Sequence, residues 1–356
     1  MDPNSSGEPP MPNYVQPQPT TAAPAARRGP HVLVWIFGLI CVLVAFVGIL
    51  FVGLAAVGSL ASSSDSSVEE KYHSLDRHGA DKIAIISVEG TILEGNGFVK
   101  KQIDRVRDDP HVKAVVLRVD SPGGTVTGSD YIYHHLNELK RDRKLPIVVS
   151  MGGMAASGGY YVSMAVGDTK ESIFAEPTTW TGSIGVVIPH YDLAGAMEEL
   201  HISEDSIKSH RLKQMGSIFK HMTEEEKTIF QGLVDDSFAR FKDIVKAGRP
   251  KFKNNDEALT KIATGQIFTT NQALANGLVD KEGFIEAAIA RAVELAGLDK
   301  SHTKAVEYKK PFSLFEGLIV SQARQRETNL AALLDLASPR AFYMCTWLPP
   351  LAGGGR

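Results

Sequence analysis

The chain has 356 residues, with 38 Lys+Arg against 41 Asp+Glu and a formal net charge of −3; hydrophobic residues make up 43% and charged residues 22%. These proportions exclude a wholly disordered chain. With no basic excess to neutralise phosphates, no nucleic-acid partner is expected. Two cysteines, Cys41 and Cys345, exclude a disulfide framework and a cysteine-built zinc cluster.

Eight of the 18 prolines fall in the first thirty residues, among Gln, Ser, Thr and Ala. Such a stretch buries too little apolar surface to offset its ordering entropy, so residues 1–31 read as a disordered segment. Residues 32–61 then run for thirty positions without a charge. As a helix this run would be about 45 Å long, more than the roughly 30 Å hydrocarbon core needs. It is also twice the apolar core of a cleavable signal peptide, so a transmembrane signal anchor is expected. Arg27 and Arg28 precede it, while Asp65, Glu69 and Glu70 follow. The positive-inside rule puts the N-terminus in the cytoplasm and the rest of the chain outside. Residues 62–80 read as a linker.

From residue 81 strand and helix patterns alternate. Residues 82–88 (KIAIISV), 112–119 (VKAVVLRV) and 146–150 (PIVVS) read as strands. Residues 97–108 and 128–141 between them have helical spacing. This alternation implies βαβ units and a mostly parallel sheet. Residues 184–188 and 206–209 also read as strands. Thr223 followed by Glu226 is a capping-box pattern opening a helix to about residue 247, and 283–297 is a further amphipathic helix. The body is one α/β domain over 81–300. Residues 301–356 form an extension that packs on the body, on another subunit or on the membrane surface.

Three segments carry chemistry. Asp120-Ser121-Pro122-Gly123-Gly124 lies past a buried strand, where glycines allow positive φ and close backbone approach. Met151 to Tyr161 (MGGMAASGGYY) surrounds one serine, Ser157, with small residues at a strand-to-helix junction. A nucleophile needs that: an exposed hydroxyl beside free N–H groups, with room for a carbonyl. An N-cap serine in a glycine-rich turn is the plainer reading. The third requirement is a base. Neither His190 nor His210 has a supporting acid at recognisable spacing. A neutral lysine could serve, its pKa of about 10.4 lowered by burial. Lys227 reads as a solvated partner of Glu224, and pattern alone does not rank Lys208, Lys213 and Lys220.

Taken together, Asp120 to Gly124, Met154 to Tyr161 and Thr181-Gly-Ser183-Ile-Gly185 resemble the signal peptide peptidase A family (bacterial protease IV). Ile207-Lys-Ser209, Lys213, Met222 to Glu225, Gly265 to Phe268 and Ala273 to Asp280 continue the match in order, over roughly residues 82–296. The chain is most similar to the short, single-domain form. The resemblance implies a ClpP/crotonase-like fold, a repeated ββα spiral, preceded by one transmembrane helix. It implies a Ser-Lys dyad with Ser157 as nucleophile and Lys213 as general base. Gly124 and Gly158 match the oxyanion N–H donors, and Ser183 a serine supporting the lysine. His210 and Gln214 stand where the family commonly has Gly and Asp. No metal or cofactor is implied. The implied substrates are apolar peptides such as released signal peptides, and the implied assembly is a ring-like homo-oligomer in a bacterial plasma membrane. Two other readings keep the fold: a crotonase-like acyl-thioester enzyme using the same N–H donors, and a non-catalytic membrane scaffold.

Overall fold

The computed structural model describes residues 36, 37, 39, 40, 43, 68–310 and 341–344. The chain divides into two units, residues 1–65 and 66–356. In the first, Ile36, Phe37, Leu39, Ile40 and Leu43 are helical and exposed. The rest of the expected anchor over 32–61 and the whole 1–31 segment lie outside the described residues. Among the described residues no helix is long and apolar enough to cross a membrane.

The second unit begins with β1 (Glu69–Leu75), β2 (Asp81–Glu89), α1 (Phe98–Asp108), β3 (Val112–Ser121), β4 (Gly123–Thr125) and α2 (Val126–Arg143). Next come β5 (Ile147–Ala156), α3 (Gly158–Ser163), β6 (Ile173–Ala175), β7 (Trp180–Gly182), α4 (Ala194–Glu199) and α5 (Glu224–Gly248). The chain continues with α6 (Asp256–Ile262), β8 (Ile267–Thr269), α7 (Thr270–Asn276), β9 (Lys281–Glu282), α8 (Ile285–Leu295), β10 (Thr303–Lys309) and β11 (Phe342–Met344).

The main sheet runs β1-β10-β2-β3-β5-β6-β9. Along this path every pairing is parallel except β1 with β10; off it, β7 pairs parallel with β5 and antiparallel with β8. The fold is thus mixed α/β with a parallel-rich sheet. Both faces are covered, which is why the central strands are nearly continuous apolar runs. Ala84, Ile86, Val88, Val115, Leu117, Val119, Val149 and Met151 face the core made with α1, α2 and α3. Ile83, Ile85, Ala114, Val116 and Val148 face α8 through Ala288, Ile289, Ala292 and Val293. Each such large apolar side chain contributes about 1.5–3 kcal/mol on burial.

Several segments differ from expectation. β1 lies in the expected linker, and β10 in the expected extension, where it inserts between β1 and β2. β10 joins because Ala305, Val306 and Tyr308 are buried in the core. Residues 184–188 form no strand beyond the bridge Val187–Phe342; the paired strand is β7, four residues earlier. Residues 206–209 form no strand, for Ile207 is fully exposed and the segment has no sheet edge beside it. β5 in turn runs six residues past its expected end, because the glycine-rich stretch itself pairs.

Candidate active site

That continuation of β5 positions the site. Val119 of β3 pairs with Met151, yet Ser121 pairs with Ala155, so β5 accommodates two extra residues. Such a bulge bends a strand and re-aims the residues beyond it. Asp120 fills it: its Oδ1 accepts the Met154 N–H at 3.0 Å. A Cβ on Gly152 would stand 3.0 Å from the Asp120 carboxyl carbon, which accounts for the glycine. Past the bulge β5 exchanges β6 for β7, with Ala156 opposite Gly182.

Ser157 is the next residue. Its N–H donates to the Gly182 carbonyl at 2.8 Å, and its own carbonyl accepts the Tyr161 N–H at 2.8 Å. Its φ of 53° is unusual for a residue with a side chain. The backbone is held there from both sides, by β7 and by the first turn of α3. Gly158 is the first residue of α3, and its N–H has no intrahelical acceptor. A Cβ on Gly159 would meet the Ser121 carbonyl at 2.7 Å, so the Gly-Gly pair is forced by the neighbouring turn. That turn is set by Ser121, whose Oγ donates to the Gly90 carbonyl at 2.6 Å and accepts the Gly123 N–H at 3.1 Å. The two glycine-rich segments abut: a Cβ on Gly123 would stand 2.6 Å from the Gly158 nitrogen. Gly124 is in β4, opposite Tyr343 of β11.

Ser157 and Ser183 both open onto a cavity of about 690 Å³. Ser183 also has positive φ (51°), and its N–H is tied to the Gln266 carbonyl at 2.7 Å. Val234, Phe238 and Ile267 give the cavity an apolar character, and Asp235 is the charged side chain among the described lining residues. No lysine or histidine is among them. Ser157, Gly158, Gly124 and Ser183 are therefore brought to one place within a protomer, and Lys213 is not. Lys213 sits exposed on a 3-10 turn, Arg211–Gln214.

The other lysines are committed elsewhere. Lys220 holds both carboxylate oxygens of buried Glu226 at 2.6 and 2.7 Å. Burial pushes the Glu226 carboxyl up, but Lys220 and the Thr223 N–H outweigh it and leave it below the usual carboxylate range. Lys208 bonds Gln214 and lies 3.8 Å from Glu204, and Lys227 pairs with Glu224 at 2.6 Å. Lys213 has no carboxylate partner among the described residues. The two positions that depart from the family pattern have local roles. His210 caps the turn, its Nδ1 accepting the Leu212 N–H, and Gln214 takes the Lys208 ammonium. His190 reaches the Ser217 carbonyl at 3.4 Å.

Sequence reasoning missed the α5 wall (Gln231, Val234, Asp235, Phe238) and the approach of Met344. The wall residues have helical spacing, so nothing distinguishes them from an ordinary amphipathic face.

Residues 139–299 match peptidase family S49. A putative protease of Synechocystis is 38% identical over 232 residues, 65% of this chain and 80% of the relative. Protease 4 of Haemophilus influenzae is 34% identical over 273 residues, 73% of this chain and 43% of the relative. A putative signal peptide peptidase SppA of Enterococcus faecium is 36% identical over 220 residues, 58% of this chain and 62% of the relative. The chain thus spans most of the Synechocystis protein and less than half of the Haemophilus one.

Proposed function

Since the chain belongs to peptidase family S49, the family of signal peptide peptidase A, and is a peptidase, we propose that it is a membrane-anchored serine endopeptidase with a Ser157–Lys213 dyad. Its substrates are apolar peptides, released signal peptides among them. The anchor is residues 32–61, with the catalytic unit outside the cytoplasm. The fold is expected to be the ClpP/crotonase-like spiral.

One observation carries this reading. Ser157 is held at positive φ, at a strand-to-helix junction, beside the Gly158 N–H that has no intrahelical acceptor and on a cavity of about 690 Å³. The chemistry is built from these parts. Lys213, as a neutral amine, takes the Ser157 proton, and Oγ bonds to the scissile carbonyl carbon. The carbonyl electron pair moves to oxygen, where the Gly124 and Gly158 N–H groups stabilise it. Collapse breaks the C–N bond, and the lysine ammonium protonates the leaving amine. Water, giving a proton to Lys213, then hydrolyses the acyl-enzyme and frees Ser157. Ser183 hydrogen-bonds and orients the amine.

The base comes from a neighbouring copy. The cavity beside Ser157 has no lysine or histidine among its described lining residues, and Lys213 is exposed and without a carboxylate partner among the described residues. Leu200, Ile202, Ile207 and Phe219, in the segment around it, are large, apolar and exposed, which marks a surface that another copy covers. Ser157→Ala and Lys213→Ala should each abolish hydrolysis of a signal-peptide substrate while circular dichroism stays unchanged. Fluorophosphonate labelling should mark wild type at Ser157 and leave Ser157→Ala unmarked. Full activity of Ser157→Ala would end the serine-peptidase reading.

A further inference from the structure

Helix α2 carries a group of side chains for which the chemistry at Ser157 has no use. Among the described residues, His134, His135 and Glu138 bring two imidazoles and a carboxylate together, one ligand atom of each lying within 4.8 Å of the others. The helical period does this. Glu138 comes three residues after His135 and four after His134, and side chains at those spacings meet on a helix surface. None of the three is among the described lining residues of the Ser157 cavity.

The two imidazoles reach different oxygens of the carboxylate. His135 Nδ1 is 2.9 Å from Oε2, and His134 Nε2 is 3.3 Å from Oε1. Bonds of about 2.0–2.2 Å to zinc hold ligand atoms up to about 4 Å apart, so both separations already suit one shared ion. The His135 and Glu138 side chains are only 16% and 29% exposed, and Tyr131 packs edge-on against the His135 ring at 4.4 Å between centroids. These two ligands are therefore oriented in advance. The His134 side chain is 61% exposed and has room to turn its ring onto the ion.

The surrounding charges leave the carboxylate to the imidazoles. Lys100 and Arg107 of α1 are both taken by Asp104, at 2.6 and 2.9 Å, and Arg107 stays 4.0 Å from Glu138. An ordinary imidazole is mostly neutral at pH 7. It offers a lone pair at the ligating nitrogen once its proton sits on the other one.

We propose that His134 Nε2, His135 Nδ1 and the Glu138 carboxylate form a binding site for a divalent transition ion of the zinc class, with water completing the coordination. Two nitrogens and a carboxylate suit Zn²⁺, Ni²⁺ or Cu²⁺, whereas Mg²⁺ and Ca²⁺ take oxygen ligands. The ion ties consecutive turns of α2 together. It binds the folded helix and not the unfolded chain, so it stabilises the fold. The site stands or falls independently of the peptidase reading.

The test is calorimetric titration of the full-length protein in detergent with Zn²⁺. It includes His134→Ala, His135→Ala, Glu138→Gln and, as a control, exposed His78→Ala. Wild type and His78→Ala should bind one more Zn²⁺ per chain than His135→Ala, and His134→Ala and Glu138→Gln should lose most of the affinity for that ion. Saturating Zn²⁺ should raise the wild-type melting temperature by several degrees and leave that of His135→Ala unchanged. With Cu²⁺ as the probe, electron paramagnetic resonance should show coupling to two imidazole nitrogens in wild type and to one in His134→Ala. Equal Zn²⁺ binding by wild type and His135→Ala overturns the site. So does a melting temperature that Mg²⁺ raises as much as Zn²⁺, or two-nitrogen coupling that persists in His134→Ala.

Discussion

At position 158 the missing side chain leaves room for the Ser129 hydroxyl, with which a Cβ would collide, and for the Tyr343 carbonyl, 3.0 Å from where that Cβ would stand. Gly158→Ala keeps the amide but must displace it to relieve that collision, so kcat should fall, with about 10²–10³-fold, the loss of a whole oxyanion donor, as the upper bound, and with a smaller change in melting temperature. Steady-state kinetics on one signal-peptide substrate checks it. A second site bears on stability alone. Lys82 bridges Glu70 and Asp109, each at 2.8 Å, joining β1 and the turn before β3 to β2. Burial raises the Asp109 carboxyl, but the Lys82 hydrogen bond and the His111 N–H overcome it and hold it below its usual value. A depressed carboxylate stabilises the fold above its unfolded pKa, and that stability is lost as pH falls through the folded one. Asp109→Asn should cost about 1–3 kcal/mol at neutral pH and cost progressively less below about pH 4, read by urea unfolding at several pH values.

At the scale of elements, α5 connects stability to the cavity. Its N-terminus is closed by a full capping box: the Thr223 hydroxyl accepts the Glu226 N–H, and the Glu226 carboxylate accepts the Thr223 N–H at 3.0 Å. Glu226 is 2% exposed and holds Lys220 as well. Two turns further on, the same helix supplies Gln231, Val234, Asp235 and Phe238 to the cavity wall. Thr223→Ala should cost about 1 kcal/mol. Lys220→Met should cost more, about 3–5 kcal/mol, because it strands a buried carboxylate. If chemical denaturation gave the reverse order, the pair would not be the anchor of this helix. β5 is the other decisive element. Its bulge depends on the Asp120 carboxylate, so Asp120→Ala should disturb Ser157 at the strand's end and lower kcat without touching substrate.

For the whole molecule, the arrangement of the two proposed dyad members predicts how activity scales with assembly. Coexpressed Ser157→Ala and Lys213→Ala chains each lack one partner. If Lys213 serves a neighbour's Ser157, a mixed closed ring rebuilds about a quarter of its sites. If both act within one chain, the mixture stays inactive. Activity of the purified mixture decides between them. Hydrolysis should also fall with acid, because only the neutral amine can take the serine proton; a rate flat from about pH 9 to pH 5 would exclude a lysine base.

Read as sequence, the chain already determined its alternating strands and helices, the α5 capping box and the two glycine-rich strand ends, since each rests on local periodicity or on a residue pair a few positions apart. Ser157 stood out for the same reason: small residues around one hydroxyl leave a local trace. The tertiary structure decided the rest. β1 and β10 pair across more than two hundred residues, and a strand of seven residues carries no mark of where its partner lies. The bulge at Gly152-Gly153 looked like a loop, because it is the Asp120 carboxylate from the adjacent strand that makes it sheet. That Lys208 and Lys220 are engaged while Lys213 has no carboxylate partner among the described residues is visible only in the fold. The packing of Tyr343 on Tyr161 and Phe241 had no sequence signal at all, for it exists only where β11 meets α3 and α5.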